Sequence, residues 1–555
     1  MLYNDTVKIV ENKDLRLSNV LKLKSLAHSV ASIFGPCGLT KLVLKTKDEY
    51  FVTQKGHKIA TTFTNKTPIV NILKRLMATQ HTNCGDGTKT VLLLIGLMLE
   101  KANKLVEEGI SPQIINKGYF LALNKCLEII ENNQIALNGK NEDCLIKIIE
   151  CTLTNKYSIH VKDYFINLLK SLNENNESMV SVLSEHDFHD YYFRKVAGNG
   201  LLDSELLHGF IIYKNKPNSI MPDRILNPNI LLIQKSIDYF IKENHSMFLE
   251  SSVESTQDHH KLVGFEEDYY KKLSESIKNK GIDVIFCQKR VNEEFLNSCS
   301  KLGMIVLDSV GEKEIKTLSM MLHIGPISSI NEISENDVGI ADIAEFKKFA
   351  KDEMLIIRKR KANTLTFLLR GGTKHVLDEF HESLETAIRV GYNTLKSMKV
   401  LPGGGAIELQ CSQQLQLYAN NFADKLQLVI LEYAKVFESL IGYIIVNSGE
   451  DPLTIIPNLK KFHSQKKNNY GYDVKAKSIV NVIDNGTLDD YFTKVHAIKI
   501  ATEMACQINR IDRLVMVHDR KLYEELEQQG KQQKMEKRNE DIRQYFKKNE
   551  EDFRM

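Results

Sequence analysis

The sequence has almost no net charge and no long apolar run. Its 74 Lys and Arg residues stand against 71 Asp and Glu residues, which leaves a formal charge of +3. This balance gives no general electrostatic reason to expect nucleic acid as a partner. The longest strongly apolar run, Val91 to Leu99, is far shorter than the roughly 18 residues that a membrane helix needs, so it predicts a buried helix. We therefore expect no nucleic acid and no membrane among the partners.

An export signal and a cysteine-based metal site are missing as well. The N-terminus carries Asp5 and Lys8 where a secretory segment would be apolar, which predicts a cytoplasmic protein. The nine cysteines are scattered singly, with no C-x-x-C pair to chelate zinc. We expect them to be reduced in the cytosol and several of them to lie in the core.

The residue pattern of the chain changes twice, from helical to mixed α/β and back to helical. The first 140 residues or so are mostly helical in pattern, and helical periodicity returns from about residue 400. Between about 205 and 365 short β-like runs alternate with helices such as Tyr269 to Lys278, which indicates an α/β unit with its own sheet. The β-like runs are Ile230 to Ile233, Val284 to Cys287, Ile305 to Leu307 and Thr364 to Leu369. An α/β unit inserted into a helical domain predicts a hinged protein in which a change at one domain moves the other.

Two glycine-rich turns contain the candidate binding residues for phosphate and Mg²⁺. Gly85-Asp86-Gly87-Thr88 stands in front of an apolar helical segment, and Gly403-Gly404-Gly405 follows much later in the chain. Glycine leaves backbone amides unshielded and the first turn of a helix adds more, so an anion can bind there. Asp86 would hold Mg²⁺, which combines one or two protein oxygens with water and phosphate oxygens. The two segments are interpreted as halves of one phosphate site, with an ordinary surface turn as the alternative.

A further turn has the same format. Gly35-Pro36-Cys37-Gly38 ends an amphipathic helix that runs from about Leu17 to Phe34, and Lys41 follows it. Successive backbone amides in such a turn can form a concave site for phosphate.

These motifs, in this order, resemble those of the group II chaperonins, the double-ring ATP-driven folding machines of archaea and the eukaryotic cytosol. The likeness runs from about Leu17 to Val515. Besides the three glycine turns it rests on Cys287-Gln288-Lys289, Leu369-Arg370-Gly371-Gly372-Thr373, Pro402 and Ala406 around the second glycine cluster, Ala501-Thr502-Glu503 and Arg510-Ile511-Asp512. Gly486 to Ala501 and Phe51-Val52-Thr53 are similar to the theta-type subunit of the eukaryotic complex (TRiC/CCT).

The resemblance implies an α+β multidomain fold. It comprises a helical equatorial domain, a small intermediate domain and an inserted α/β apical domain with a lid protrusion. The implied boundaries are 1–140 and 401–517 (equatorial), 141–205 and 366–400 (intermediate), 206–365 (apical) and 518–555 (charged tail). Ser246 to Gly264, which includes Glu250, Glu254, Asp258 and His260, is polar and loop-like and stands where the family has its lid. An ordinary mobile loop is the alternative there.

The resemblance also implies roles for individual residues toward ATP and Mg²⁺. Asp86 would hold Mg²⁺ and Asp489 would bind the ribose hydroxyls. The remaining cofactor-binding positions lie in the turns and would contact the nucleotide, mainly its phosphates: Gly35, Pro36, Gly38, Gly85, Gly87, Thr88, Lys89, Thr90, Gly404 and Gly405.

Two family positions differ in this sequence. Lys55, in Thr53-Gln54-Lys55-Gly56, and Thr386 stand where the family has its two catalytic aspartates. A threonine hydroxyl is a poor base for the attacking water, and losing a general base costs about a hundred- to ten-thousandfold in rate. The sequence thus predicts a subunit that binds ATP and hydrolyses it poorly. Glu382, one helical turn before Thr386, could substitute as the base, and a local misalignment of this divergent chain is the other alternative.

Partners follow from the same resemblance. We expect other chaperonin subunits in a hetero-oligomeric double ring, and unfolded cytosolic clients, with actin and tubulin implied. The alternative is a chaperonin-like assembly scaffold outside the ring, for which the lost carboxylates and a long charged tail would be typical. The tail from His518 to Met555 is predicted to be a solvated, partly helical extension.

Overall fold

The computed structural model describes residues 7–11, 13–44, 50–63, 68–137, 142–153, 159–170, 191–235, 237, 256–328, 330, 333–349, 352–360, 362, 364–511 and 513–517. The tail from His518, and Glu250 and Glu254 of the predicted lid, lie outside these residues. Among the helices that are described, none is both long and apolar enough to cross a membrane.

Most described residues are helical. In chain order the helices are α1 (Lys13–Ala31), α2 (Gly56–Thr62), α3 (Pro68–Cys84), α4 (Thr88–Glu107), α5 (Pro112–Asn132), α6 (Glu142–Leu153), α7 (Ile159–Lys170), α8 (Thr256–Asn279), α9 (Glu293–Lys301), α10 (Glu312–Leu322), α11 (Lys374–Ser397), α12 (Ala406–Ala419), α13 (Lys425–Asn447), α14 (Pro452–Ser464) and α15 (Tyr491–Asn509).

The strands are short and form several separate sheets. In chain order they are β1 (Val7–Glu11), β2 (Lys41–Leu44), β3 (Tyr50–Thr53), β4 (Ile135–Ala136), β5 (Tyr191–Ala197), β6 (Glu205–Ile212), β7 (Arg224–Leu226), β8 (Asn229–Ile233), β9 (Val284–Cys287), β10 (Ile305–Leu307), β11 (Val338–Ile340), β12 (Ile343–Phe349), β13 (Asp352–Arg358), β14 (Leu365–Gly371), β15 (Lys399–Pro402), β16 (Tyr470–Asp473), β17 (Ser478–Asn481), β18 (Leu488–Asp490) and β19 (Arg513–Val517).

Helices from both ends of the chain share one hydrophobic core. Buried side chains of α1 to α5 pack with those of α12, α13 and α15. The run Val91 to Leu99 of α4 is buried along its whole length, which confirms the prediction of a buried helix. Because such a helix is apolar on all sides, it must be enclosed by others, and the two distant parts of the sequence enclose it together.

A second core joins α6, α7, β14 and α11. Strand β14 lies inside a six-stranded sheet of order β5-β14-β6-β13-β12-β7, where it runs parallel to β5 and antiparallel to β6. Strand β14 therefore connects this second core to the inserted unit. The domain boundaries that the resemblance implies stay predictions.

The inserted unit contains the α/β arrangement. A four-stranded sheet of order β10-β9-β8-β11 has parallel pairs β10–β9 and β8–β9, and all residues of β9 and β10 are buried. Parallel strands with both faces covered require such continuous apolar runs. The four β-like runs of the sequence are strands, as predicted, although Thr364 to Leu369 falls in the six-stranded sheet.

One local prediction was wrong. The stretch from Thr256 to Gly264, which includes Asp258 and His260, was expected to be loop-like but forms the first part of α8. Polar residues occupy the surface of a helix as readily as a loop, so the lack of an apolar periodicity there did not exclude a helix. The helix predicted from Tyr269 to Lys278 is the second part of the same element. The first predicted helix also begins and ends a few residues earlier than expected, at Lys13 and Ala31.

Candidate functional site

The first glycine turn follows α1 and is held by long-range contacts. Gly35 has a φ of +78°, and a Cβ on Gly38 would lie 2.3 Å from the carbonyl oxygen of Ile33. The Asn447 Nδ2, at the end of α13, donates to the carbonyls of Ala31 and Phe34 at 2.8 Å each. Pro36 lies within this turn. Position 38 therefore requires glycine, because any side chain there would collide with the Ile33 carbonyl.

The second turn precedes the N-terminus of α4. Gly85 and Gly87 have φ values of +77° and +82°, and Gly87 is the N-cap residue of α4. The Gln80 side chain donates to the Asp86 carbonyl at 2.9 Å, and Thr88 is almost fully buried. Thr88 begins the first turn of a 20-residue helix, in which Thr90 also lies. The positive end of the helix dipole thus points at the turn, where an anion would be stabilised.

Asp86 is half-buried in this turn. Burial, followed by the charges of Asp490 and Asp86, raises the pKa of the Cys84 thiol to about 12. Among the described residues, no group of three or more His, Cys, Asp and Glu side chains could hold a metal ion. A single carboxylate beside a phosphate-binding turn still fits Mg²⁺, because most of its ligands would be nucleotide oxygens and water.

The third turn connects β15 to α12. Gly404 and Gly405 have φ values of +60° and +77°, and Gly405 is the N-cap residue of α12. The Tyr472 amide donates to the Gly404 carbonyl at 2.8 Å, and the Gly403 amide donates to the Thr487 carbonyl at 3.0 Å. A Cβ on Gly404 would lie 2.9 Å from the Tyr472 carbonyl oxygen, so this position admits only glycine without a backbone shift.

The three turns are linked to one another. A Cβ on Gly35 would lie 3.4 Å from Ile444, and one on Gly405 would lie 3.1 Å from Ile441, one turn earlier on α13. The Lys89 Nζ, beside the second turn, donates to the Ile33 carbonyl of the first turn at 3.0 Å. Helix α13 therefore joins the first and third turns, which are separated by hundreds of residues in the sequence, and Lys89 joins the first and second turns. The resemblance implies that Lys89 contacts the nucleotide, and in the structure its ammonium group donates to the Ile33 carbonyl.

Asp489 lies in β18, opposite Leu401 of β15 and next to the third turn. Its Oδ2 is 2.8 Å from the Lys494 Nζ, which is also 2.5 Å from Oε1 of the buried Glu408. Burial alone would lower the pKa of the Lys494 ammonium, but the two carboxylates raise it above its ordinary value. The Asp489 side chain remains about 38 % exposed, so it is fixed in place and still accessible to a hydroxyl group.

Lys55 and Thr386, the two positions at which the resemblance implies a departure from the family, contact each other. The Lys55 Nζ donates to the Thr386 Oγ1 at 2.6 Å, and that hydroxyl donates to the Glu382 carbonyl at 2.8 Å. The Thr386 side chain is almost fully buried. Gly56, next to Lys55, lies against the start of α4, since a Cβ on it would be 3.0 Å from the Thr88 Oγ1. The Lys55–Thr386 pair is therefore adjacent to the second turn.

Glu382 and Glu385, which both precede Thr386 on α11, are both in ion pairs. Glu382 pairs with Lys58 of α2, and Glu385 pairs with Arg389 at 3.1 Å. As the helical spacing predicts, Glu382 faces α2 together with Thr386. For Glu382 to act as a base, its pair with Lys58 would have to open.

Sequence reasoning missed several residues of this site. They are Lys58, Gln80, Arg389, Asn447 and Lys494, which hold the turns and the acidic residues in place. None of them stands in a recognisable motif, because each makes at least one contact with an element that is distant in the sequence. The one available signal was the i, i+4 spacing of Glu385 and Arg389 on a helix.

The fold and the three glycine turns together define the class of protein to which this chain belongs. Three glycine turns suited to phosphate adjoin a helical core built from both ends of the chain, and an α/β unit is inserted between the second and the third of them. Residues 26–519 match the TCP-1/cpn60 chaperonin family. The chain belongs to this family, and to its group II, thermosome-like branch. Such proteins fold other proteins with ATP.

Thermosome subunits of archaea are similar to this chain over almost its full length. The thermosome subunit alpha of Archaeoglobus fulgidus is 28 % identical, and the match covers 91 % of this chain and 92 % of that protein. The thermosome subunit of Methanopyrus kandleri is 29 % identical over 91 % of this chain and 93 % of its own length. That of Pyrococcus horikoshii is 28 % identical over 91 % of each chain.

Proposed function

We propose that this chain is an ATP-binding subunit of the hetero-oligomeric double-ring chaperonin of the eukaryotic cytosol, and that it hydrolyses ATP poorly. The observation that carries this proposal is the Lys55–Thr386 contact beside the second of three linked glycine turns. The turns supply what binding needs, namely backbone amides, a helix N-terminus and the Asp86 carboxylate for Mg²⁺. The Lys55–Thr386 pair supplies nothing that could deprotonate water.

The separation of binding from hydrolysis follows from this chemistry. Attack on a γ-phosphate needs a group that orients the water and accepts its proton. At the two family positions the chain has an ammonium group and a hydroxyl that already donates to the Glu382 carbonyl. The Lys55 ammonium would attract a phosphate group but cannot serve as a base. Asp489, held by Lys494, is the proposed contact for the ribose hydroxyls.

Assembly with other subunits is supported by two small sheets. Strands β2 and β3 form a hairpin, and β1 pairs only with β19 among the described strands. One face of the hairpin exposes Leu42, Leu44, Tyr50 and Val52. Two-stranded sheets are marginally stable alone, and an exposed apolar face is typical of an interaction site. The theta-type assignment, and unfolded clients such as actin and tubulin, rest on the resemblance alone.

The test compares nucleotide binding with turnover in the purified assembly. We expect calorimetry to detect Mg²⁺-dependent ATP binding while steady-state hydrolysis by this subunit is low. Replacing Lys55→Asp together with Thr386→Asp should raise turnover about a hundredfold or more, because a general base typically contributes that much. A matched variant, Glu382→Gln, should leave turnover unchanged.

Two outcomes would contradict the proposal. Absence of ATP binding would refute the nucleotide site, and a large loss of turnover in Glu382→Gln would identify Glu382 as the base.

The second candidate function is a scaffold outside the ring, which the loss of both catalytic carboxylates favours. Packing alone accounts for glycine at positions 38 and 404, but a scaffold that binds no nucleotide has no need of the half-buried Asp86 carboxylate between Gly85 and Gly87, which argues against it.

A further inference from the structure

Helix α11 belongs to one hydrophobic core and contacts another. Its apolar side, including Leu377, Phe380, Leu384 and Ile388, is buried in the second core with α6 and α7. Its opposite side faces α2 and the C-terminal end of α3, whose apolar residues are buried in the first core. The junction between the two cores thus runs along one face of α11.

The described side-chain contacts across this junction are polar. Lys55 donates to Thr386, Lys58 pairs with Glu382, and Arg389 donates to the Thr82 carbonyl. Asn393 adds a longer hydrogen bond of 3.3 Å to the Asn83 carbonyl. Polar contacts can be broken and replaced by water without exposing apolar surface, so the part of this junction at Glu382 and Thr386 can open while both cores stay intact.

The two lysines are one helical turn apart, and so are their two partners on α11. Lys55 is the N-cap residue of α2, and Lys58 follows it by one turn. Glu382 and Thr386 are spaced one turn apart on α11. Helix α2 has only 7 residues and no side-chain cap. A helix of that length is unstable by itself, so its order depends on what packs against it.

We propose that Lys55–Thr386 and Lys58–Glu382 form a latch that holds α11 against α2. All four groups are protein side chains, so the latch closes without a contribution from bound nucleotide. The residues that replace the family's carboxylates thus join the two cores. Two carboxylates at these positions would repel each other, whereas an ammonium and a hydroxyl attract. The latch goes beyond the proposed function and does not depend on nucleotide binding.

Hydrogen exchange of the full chain without added nucleotide tests the latch. Lys55→Met and Thr386→Val each remove one partner and should speed amide exchange in Gly56–Thr62 by about tenfold, the effect of one lost charge-assisted hydrogen bond. The double variant should exchange no faster than either single variant, because both changes remove the same contact. Thr386→Ser keeps the hydroxyl and should retain the protection of the unmodified chain.

The matched control is Lys24→Met. It removes the exposed ion pair between Lys24 of α1 and Glu100 of α4, on the surface of the helices that form the first core. It should leave exchange in α2 unchanged. Unchanged α2 protection in either single variant, or fully additive effects in the double variant, would overturn the latch. Exchange in α5 reports whether a variant is folded. If Lys55→Met disturbs α5, the comparison of Thr386→Val with Thr386→Ser decides the question.

Discussion

Glycine residues in the left-handed region set the shape of the candidate site at the scale of single residues. Gly404 and Gly109 share this backbone conformation, with φ values of +60° and +85°. Their surroundings differ. A Cβ on Gly404 would lie 2.9 Å from a backbone oxygen, whereas one on Gly109 would meet nothing within 4 Å. The two positions therefore separate backbone strain from steric collision.

We predict that Gly404→Ala destabilises its surroundings more than Gly109→Ala. Both variants carry the strain of an L-residue in the left-handed region, about 1–2 kcal/mol. Gly404→Ala must in addition displace the backbone at Tyr472, for a total of about 2–4 kcal/mol. Local free energies of opening from amide exchange in α12 and at the end of α4 measure the two effects. Equal losses at the two positions would show that the turn can relax around the new methyl group.

The glycine turns could be predicted because their signal is local. A run such as Gly85-Asp86-Gly87-Thr88 before an apolar helix specifies a turn and an N-cap within a few residues, and the structure has both. The Lys55–Thr386 contact joins residues 331 positions apart, so no local pattern contained it. Lys494 was missed for a related reason. A lysine within a helix usually faces water, and only the fold shows that this one is enclosed between Glu408 and Asp489.

At the scale of elements, Lys494 of α15 ties together α12 and β18. Its ammonium lies between Glu408, whose side chain is 5 % exposed, and Asp489. A buried charge that loses its partner keeps the full cost of its desolvation. The ion pair therefore constrains how α12 and β18 meet beside the third glycine turn.

We predict that Lys494→Met weakens this junction by about 3–5 kcal/mol, because it leaves the Glu408 carboxylate buried without a cation. Adding Glu408→Gln should recover much of the loss, since the uncompensated charge is then gone. Amide exchange in α12 and α15 measures both effects. Lys477→Met is the control. It breaks a pair with Glu450 in which both side chains are largely exposed, so it should cost at most about 1 kcal/mol. If both lysine variants cost the same, burial would not be what makes the Lys494 pair important.

At the scale of the whole molecule, the sequence order of the motifs indicated a helical domain interrupted by an insertion. The structure adds how the two ends meet. Helices α1 to α5 and α12, α13 and α15 bury their apolar faces in one core, and β1 pairs with β19 in register from Val7–Val517 to Glu11–Arg513. Helical periodicity shows that each segment has a buried face, but it does not show which other segment covers that face.

The exposed hairpin gives the last prediction, which concerns assembly. Leu42 is 64 % exposed on β2 and stands opposite Val52 of β3, on the apolar face proposed to contact a neighbouring subunit. Leu42→Lys places a charge on that face, and burying it in an interface would cost several kcal/mol. We expect size-exclusion chromatography to move this variant from a high-mass particle to a single chain or small complex, with the fold intact by circular dichroism. Leu453→Lys changes an equally apolar residue that is 83 % exposed at the start of α14, and it should leave the particle assembled. If the unmodified chain never elutes as a high-mass particle, the scaffold outside the ring becomes the better description, because the apolar hairpin would then serve a different partner.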